Sequence, residues 1–478
     1  MPHIKIVLVR NSETGLTDQI VDAISEKIQR HEMSEGERLP SVRKLAAELH
    51  VSIFTAKNAY DRLVSKGLIQ ARVGSGYFVS RKKLTGITHI EAPIELPNSS
   101  LGLAKRALDL SRISVPAGSG FLPPLWADNA IPTAVFSKIA KRSSAPLMPS
   151  PAQGAVLLRL QLASSIQQRG IPASSENVII TFGASQAFDL IIRTLLKPGD
   201  TVLVEDPGYF VLHSQLIAAG IKIAPVIRNL DGPDLVSLEQ QIKLHQPKLF
   251  FTQTLMHNPT GGNNSVQISH RLVSFAEKYQ FYLVEDDVYG DLADAHAVRL
   301  AQLDGLNRVI YVSGFTKILC AGIRVGYIAA HSNFISPLLE QKILTVLTGA
   351  SMVELAVAEV MESGHFKKHV MKLRERLARA RADSVRALKS VGVEAEDNEA
   401  NGFFIWSQLQ NPMDLDELVL RAQEAGILLA KGNLFSPSAS CPYFIRFSAA
   451  YSADVRLIQF LKQHLNRQGM VIPSKDSM

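Results

Sequence analysis

The chain has 478 residues, 46% hydrophobic and 20% charged, which excludes a disordered or fibrous class and implies more than one domain. Its formal net charge is +7, and its two cysteines, Cys320 and Cys441, exclude a disulfide framework. No apolar run reaches the length of a membrane span, and IKIVLV at residues 4–9 lacks a signal-peptide cleavage pattern, so a cytoplasmic protein with no membrane partner is expected.

The first predicted helix covers residues 17–30, where Ile20, Val21, Ile24 and Ile28 share a face and Thr17 or Asp18 serves as N-cap. Gly36 and Pro40 break the pattern. Ser41 then caps a second helix, with Val42, Leu45, Ala46 and Leu49 on one face. Ser52 opens a third, with Ala56, Ala59, Tyr60 and Leu63 inward, and Gly67 ends it. LIQARVGSGYFVS alternates around Gly74-Ser75-Gly76, the pattern of a hairpin with a glycine turn. Three short helices and a hairpin form a winged helix-turn-helix. Its third helix enters the major groove of duplex DNA and its wing touches the backbone. The charge agrees: residues 38–83 contain ten Lys or Arg and two Asp or Glu, so this segment carries 10 − 2 = +8 and the rest of the chain 7 − 8 = −1. Arg43, Ser52, Thr55, Lys57 and Gly74 are the candidate DNA contacts.

This stretch resembles the reader domain of GntR-type bacterial regulators. The marks are LPSVR-LA, VS--TA--AY--L---G and the wing GSGYFV. It departs from them at Ile53 and Phe54, where the family often has Arg or another polar residue just after the VS pair, so the family's operator does not carry over.

Residues 81–117 read as a linker, from the basic RKKLTG, the Pro- and Ser-rich EAPIELPNSS and the small residues of SVPAGSG, with one helical turn near Leu103–Leu108. The reader then spans 1–80 and the body 118–478, with a large part at about 150–350 and a small part at about 351–478. In the body, NVIIT, TVLVEDP, KLFFTQT, FYLVEDD, RVIYVSG and VGYIAA are short apolar strands. Helical stretches such as 185–196 and 265–279 separate several of them. That alternation implies a mainly parallel sheet covered on both faces, with polar residues just past the strand ends lining a site.

Five strand ends carry such residues. Gly183-Ala184-Ser185 open a helix whose free N–H groups suit a phosphate. Tyr209 follows TVLVEDP and suits stacking on a flat ring. Asn258 precedes a proline turn, and the EDD of FYLVEDDVYGDL supplies three carboxylates, with Tyr289 just after them. Lys317 lies in SGFTKILCAGIRVGY, seven residues before Arg324. Alone, each has a bland reading as a cap, a core aromatic, a turn residue or an acidic surface. Together they supply a lysine amine for an imine, an anion site, and a carboxylate to keep a ring nitrogen protonated; the cofactor that needs all three is pyridoxal 5'-phosphate. His365 and His369 lack neighbouring Cys or acidic ligands, so no metal is expected.

The body resembles fold-type I aminotransferases, through GASQAF, EDPGYF, HNPTGG, EDDVYGDL, SGFTKILCAGIRVGY and NGFFIW. The resemblance implies an α/β body with a smaller C-terminal α+β domain. By it, Lys317 holds the cofactor as an aldimine, Asp286 pairs with the ring nitrogen, Tyr289 and Asn258 bond the ring hydroxyl, and Tyr209 stacks. Gly183, Ala184, Ser185 and Arg324 hold the phosphate, and Arg446 grips a substrate carboxylate. The family often has Ser where Gly314 stands; here Ser313 and Thr316 lie alongside. The two resemblances combine into that of MocR-type regulators. A cytoplasmic homodimer is then expected, binding an operator and responding to a small amino compound, whose exchange with Lys317 shifts the small part against the large. Two alternatives stay open: response to the cofactor itself, and a working aminotransferase with an appended reader.

Overall fold

The computed structural model describes residues 6, 8–10, 15–29, 32–34, 36–72, 75–80, 99–109, 111–141, 147–294, 296–395, 402–409 and 414–465. It divides into two compact units, Met1–Glu95 and Leu96–Met478.

The first unit contains α1 (Leu16–Gln29), α2 (Val42–Glu48), α3 (Ile53–Ser65), β1 (Ile69–Arg72) and β2 (Gly76–Val79). Helix α1 begins before the expected caps: Gly15 O accepts the Gln19 N–H at 3.1 Å, so Thr17 and Asp18 sit in the first turn, where Asp18 pairs with Arg62 at 2.6 Å. Ser41 and Ser52 cap α2 and α3 as expected, accepting the N–H of Lys44 (3.3 Å) and Thr55 (3.0 Å). Ile20, Val21, Ile24, Leu45, Ala56, Tyr60, Leu63 and Val79 form the core. Within it the Tyr60 hydroxyl donates to Pro40 O at 2.9 Å, tying α3 to the turn before α2. Strands β1 and β2 pair antiparallel.

The second unit opens with α4 (Ser100–Leu108), α5 (Thr133–Lys141) and α6 (Val156–Gln167). Then come β3 (Val178–Thr181), α7 (Ala184–Leu195), β4 (Thr201–Asp206), α8 (Phe210–Ala218), β5 (Lys222–Asn229), β6 (Gly232–Pro233), α9 (Leu235–His245), β7 (Leu249–Thr252), α10 (Val266–Tyr279), β8 (Tyr282–Asp286), α11 (Leu300–Asp304), β9 (Val309–Gly314) and β10 (Gly326–Ala329). These strands form one sheet in the order β3-β10-β9-β8-β7-β4-β5-β6. Neighbours from β5 to β9 run parallel, whereas β10 is antiparallel to both its neighbours. The apolar runs are continuous because both faces are covered. Ile179 packs on one face with Phe188 and Ile310, and Val178 and Ile180 on the other with Leu158 and Phe250. Strand β5 is not among the predicted strands; its Pro225 and its cations resemble an edge, and only the two-residue β6 lies outside it.

Helix α12 (Ser332–Val346) follows, its Leu338 in the same core as Ile179 and Phe188. The smaller part contains α13 (Ser351–Glu362), α14 (His365–Lys389), β11 (Phe404–Gln408), α15 (Leu415–Glu424), β12 (Ala430–Lys431), β13 (Phe444–Ser448) and α16 (Val455–Leu465). Its strands form an antiparallel sheet, β11-β13-β12. Residues 99–109 and 111–117, within the expected linker, belong to this second unit. The expected turn is the nine-residue helix α4, whose Leu103 packs with Phe210, Leu428 and Phe435. Val115 and Ala117 lie in the main core.

Candidate functional site

The C-terminal ends of β3, β4, β7, β8 and β9 open onto one cavity of about 600 Å³. Ala184, Ser185, Tyr209, Asn258, Asp286, Tyr289, Thr316, Lys317, Arg324 and Arg446 all line it.

Gly183 (φ 79°) turns the chain from β3 into α7, a conformation that favours glycine. A Cβ there would stand 3.2 Å from an Arg324 guanidinium nitrogen, and one at Gly326 would stand 2.6 Å from the Gly183 carbonyl carbon. Two glycines therefore let Arg324 and the start of α7 meet. Arg324 donates to Phe182 O at 2.8 Å. The first N–H groups of a helix lack carbonyl partners in a preceding turn, so those of Ala184 and Ser185 are available to an anion. Thr316 Oγ1 is buried beside them with no hydrogen-bond partner among the described residues. The Gly314 departure has a steric reason: a Cβ there would lie 3.0 Å from Gly326 Cα and from Val325 O. Ser313 points elsewhere, donating to Asp287 O at 2.9 Å, so of these two hydroxyls Thr316 is the one that lines the cavity.

Lys317 Nζ donates to Gly120 O at 2.8 Å and lies 4.1 Å from the Phe121 ring centre. Burial pushes its pKa down, the Arg446 cation adds to that and Asp286 opposes it, and the result is about 7. At the end of β8, burial pushes the Asp286 carboxyl up, against the Val288 N–H that donates to it at 3.2 Å, to about 7. Acetylation of the ligand-free chain with acetic anhydride, read at Lys317 by mass spectrometry, is therefore expected to show a midpoint near pH 7 rather than near the ordinary lysine value of about 10. Arg446→Leu removes a repelling cation and raises the midpoint; Asp286→Asn removes an attracting anion and lowers it. A midpoint near 10 in the unaltered chain contradicts the desolvated amine.

Asn258 ties this floor to the smaller sheet. Its N–H donates to Gln253 Oε1 at 2.8 Å, and its Oδ1 accepts from Arg446 Nη1 at 2.7 Å. Arg446, on β13, also donates to Gly118 O at 2.5 Å and lies between the Phe404 and Phe435 rings, 4.2 and 4.6 Å from their centres. Burial lowers its pKa to about 10, so it stays cationic at neutral pH, and its Nε is buried with no partner among the described residues. Tyr289 packs its ring 5.1 Å from Phe403. Tyr209, whose hydroxyl burial raises above the ordinary range, hydrogen-bonds Ser185.

Two parts of the site are not evident from the sequence. Leu103, Ala104, Ala107 and Leu108 of α4 form a cavity wall, joined by Phe121 and Leu122. Their helical spacing is legible, but the segment is too short and too close to the Pro-rich stretch to stand out. The other is a buried ionic cluster beneath the floor. Glu205 accepts from Arg228 at 2.6 Å, Thr252 at 2.8 Å and the Gln253 N–H at 2.9 Å, with His257 Nε2 at 3.1 Å.

In the first unit Arg43 and Lys57 are exposed on α2 and α3. The Ser52 and Thr55 hydroxyls bond each other at 2.8 Å. Gly74 lies outside the described residues. His365 and His369 place Nε2 2.8 Å from Asn129 O and Ile318 O, and no group of three metal-ligating side chains occurs among the described residues. Among them, no helix is long and apolar enough to cross a membrane.

Fold and cavity together define an aminotransferase-type body preceded by a winged helix-turn-helix reader. The model for aminotransferase class I and II matches residues 126–461, more than half of the chain, and that for bacterial regulatory proteins of the gntR family matches residues 16–79. The chain belongs to the aminotransferase class I and II family, in the MocR-type group that carries a gntR-family reader. It is 28% identical over 461 residues to the HTH-type transcriptional regulator YdcR of Escherichia coli (strain K12), covering 93% of this chain and 97% of that one. It is 26% identical over 480 residues to the HTH-type transcriptional regulator TauR of Rhodobacter capsulatus, covering 95% and 96%. Among solved structures, an archaeal alanine:glyoxylate aminotransferase superposes with a TM-score of 0.71 at 24% identity, over 76% of this chain and 94% of that one, a likeness of fold. The kynurenine aminotransferase of Pyrococcus horikoshii gives 0.68 at 25%, over 76% and 91%.

Proposed function

We propose that this chain is a DNA-binding transcriptional regulator whose body holds pyridoxal 5'-phosphate at Lys317 and reports a small amino compound to the reader. One observation carries the reading: a single cavity gathers a desolvated lysine amine, a buried carboxylate, and an unpartnered buried hydroxyl beside an arginine and a helix start. Those are the groups the cofactor needs at its aldehyde, ring nitrogen and phosphate. Lys317 would hold the aldehyde carbon and Asp286 the ring nitrogen. Ser185, Thr316, Arg324 and the first N–H groups of α7 would hold the phosphate. Tyr209 would cover the ring, with Tyr289 and Asn258 at its hydroxyl. When bound, the cofactor supplies an electrophile for amines and an electron-withdrawing ring. Borohydride reduction of the chain with pyridoxal 5'-phosphate, followed by peptide mapping, tests this reading: the label is expected on Lys317, and no label there overturns it.

Arg446 completes the binding side, because a carboxylate would give its buried Nε a partner. Past it the cavity walls are Leu103, Ala107, Leu108, Phe121 and Leu122, none of them charged. An amino acid with an uncharged apolar side chain therefore suits the cavity better than a dicarboxylic one, whose second charge would be buried unpaired. Neutral apolar amino acids are expected to perturb the absorbance of the loaded protein at concentrations roughly tenfold or more below those needed for glutamate; equal potency contradicts the apolar wall. Relatives covering nearly all of the chain are named as transcriptional regulators, which favours a regulator over an enzyme. Sustained turnover with a keto-acid acceptor would reverse that preference. A homodimer would present two readers to paired half-sites.

A further inference from the structure

The start of α3 carries two large apolar residues, Ile53 and Phe54, and the structure leaves both on the surface. Ile53 is 56% and Phe54 72% exposed, although each is large and apolar. The rest of the unit buries such groups: Ala56, Ala59, Tyr60 and Leu63 of the same helix are all 0% exposed. Phe54 is the exposed aromatic ring among the described residues of this unit. The nearby hydroxyls are committed to the cap, since Ser52 accepts the Thr55 N–H and bonds the Thr55 hydroxyl. The tip of the helix thus presents apolar carbon, with the exposed Lys57 one turn further on.

What covers this carbon is decided by charge and position. It stands at the N-terminal end of the second helix of a gntR-family helix-turn-helix, the end that faces base edges. It lies in a segment with ten cations and two acids, which attracts a polyanion. In the major groove the apolar group offered by a base edge is the C5-methyl of thymine. We propose that Ile53 and Phe54 read thymine methyl groups in the operator, so that this reader selects A·T pairs by apolar contact. The proposal rests on the DNA-binding reading above and adds the chemistry of recognition.

The test uses the full chain and needs no known operator. Duplexes are selected from a random library, and the selected sites are then rebuilt with deoxyuridine for thymidine at each position in turn. Deoxyuridine keeps every hydrogen-bonding group and removes only the methyl. At one or two positions affinity is expected to fall about fourfold per methyl, the ratio for burying one methylene-sized group. With Phe54→Ala and Ile53→Ser the thymidine and deoxyuridine duplexes are expected to bind alike at those positions; both side chains are exposed, so the fold is not at risk. Equal binding of both duplexes by the unaltered chain overturns the proposal and leaves the DNA-binding reading intact. So does a penalty that persists undiminished in both variants. A Phe54→Ala chain that changes oligomeric state yet keeps the penalty identifies the patch as an interface between copies and also overturns it. Binding of no duplex at low salt defeats both readings.

Discussion

Replacing Lys317 with alanine is expected to abolish the response of DNA binding to amines and to leave operator affinity without ligand unchanged. Among the described residues Lys317 is the one lysine lining the cavity beside Asp286, so no second amine stands ready to take its place. The substitution should not unfold the body. Lys317 has a folded pKa of about 7 against 10.5 in the unfolded chain, so between those values the unfolded state binds more protons. The position therefore lowers stability most at and below pH 7 and stops doing so as pH rises towards 10.5. Alanine removes that dependence, and the variant should gain relative to the parent at pH 7 and lose the gain near pH 10. Operator titrations with and without amine, beside urea unfolding at both pH values, check both halves. An amine response that survives the substitution would remove Lys317 from the sensing step.

Glu205→Gln is expected to produce the largest loss of stability of any single change near the site, about 3–5 kcal/mol. Glu205 and Arg228 are both buried, and removing one charge strands the other. Burial alone would raise the Glu205 carboxyl; Arg228 and then His257 override it and hold the pKa at about 2. The sign follows from the unfolded value of 4.5. The stabilisation is complete above that value and disappears as pH falls towards 2. Both tryptophans, Trp126 and Trp406, belong to the second unit, so their fluorescence during urea unfolding follows the unit in question. The double change Glu205→Leu with Arg228→Met should recover most of the loss, because paired apolar groups can replace a buried ion pair. A double variant no more stable than Glu205→Gln contradicts the stranded-charge account. The floor should also loosen: Glu205 holds the Gln253 N–H, Gln253 holds Asn258 and Asn258 holds Arg446, so amine affinity falls with stability.

Much of the fold and of the site is legible in the amino-acid order, because it depends on neighbours along the chain. Helix periodicity, the Ser41 and Ser52 caps, the glycine hairpin and the continuous apolar strands are short-range patterns. The residues at the strand ends share one cavity because a parallel sheet brings its C-terminal strand ends to one side. Tertiary structure alone decided the rest. Nothing local to α4 says that residues 103–108 wall the cavity. Nothing in EDP says that Glu205 faces Arg228, or in YFIRF that Arg446 lies between two rings. These contacts join residues tens to hundreds of positions apart, and their energies come from desolvation and close packing, which exist only once the chain has closed around them. The sequence by itself determined the kinds of element and the chemistry available at their ends; the folded core determined which of those groups are buried, paired and shifted enough to act.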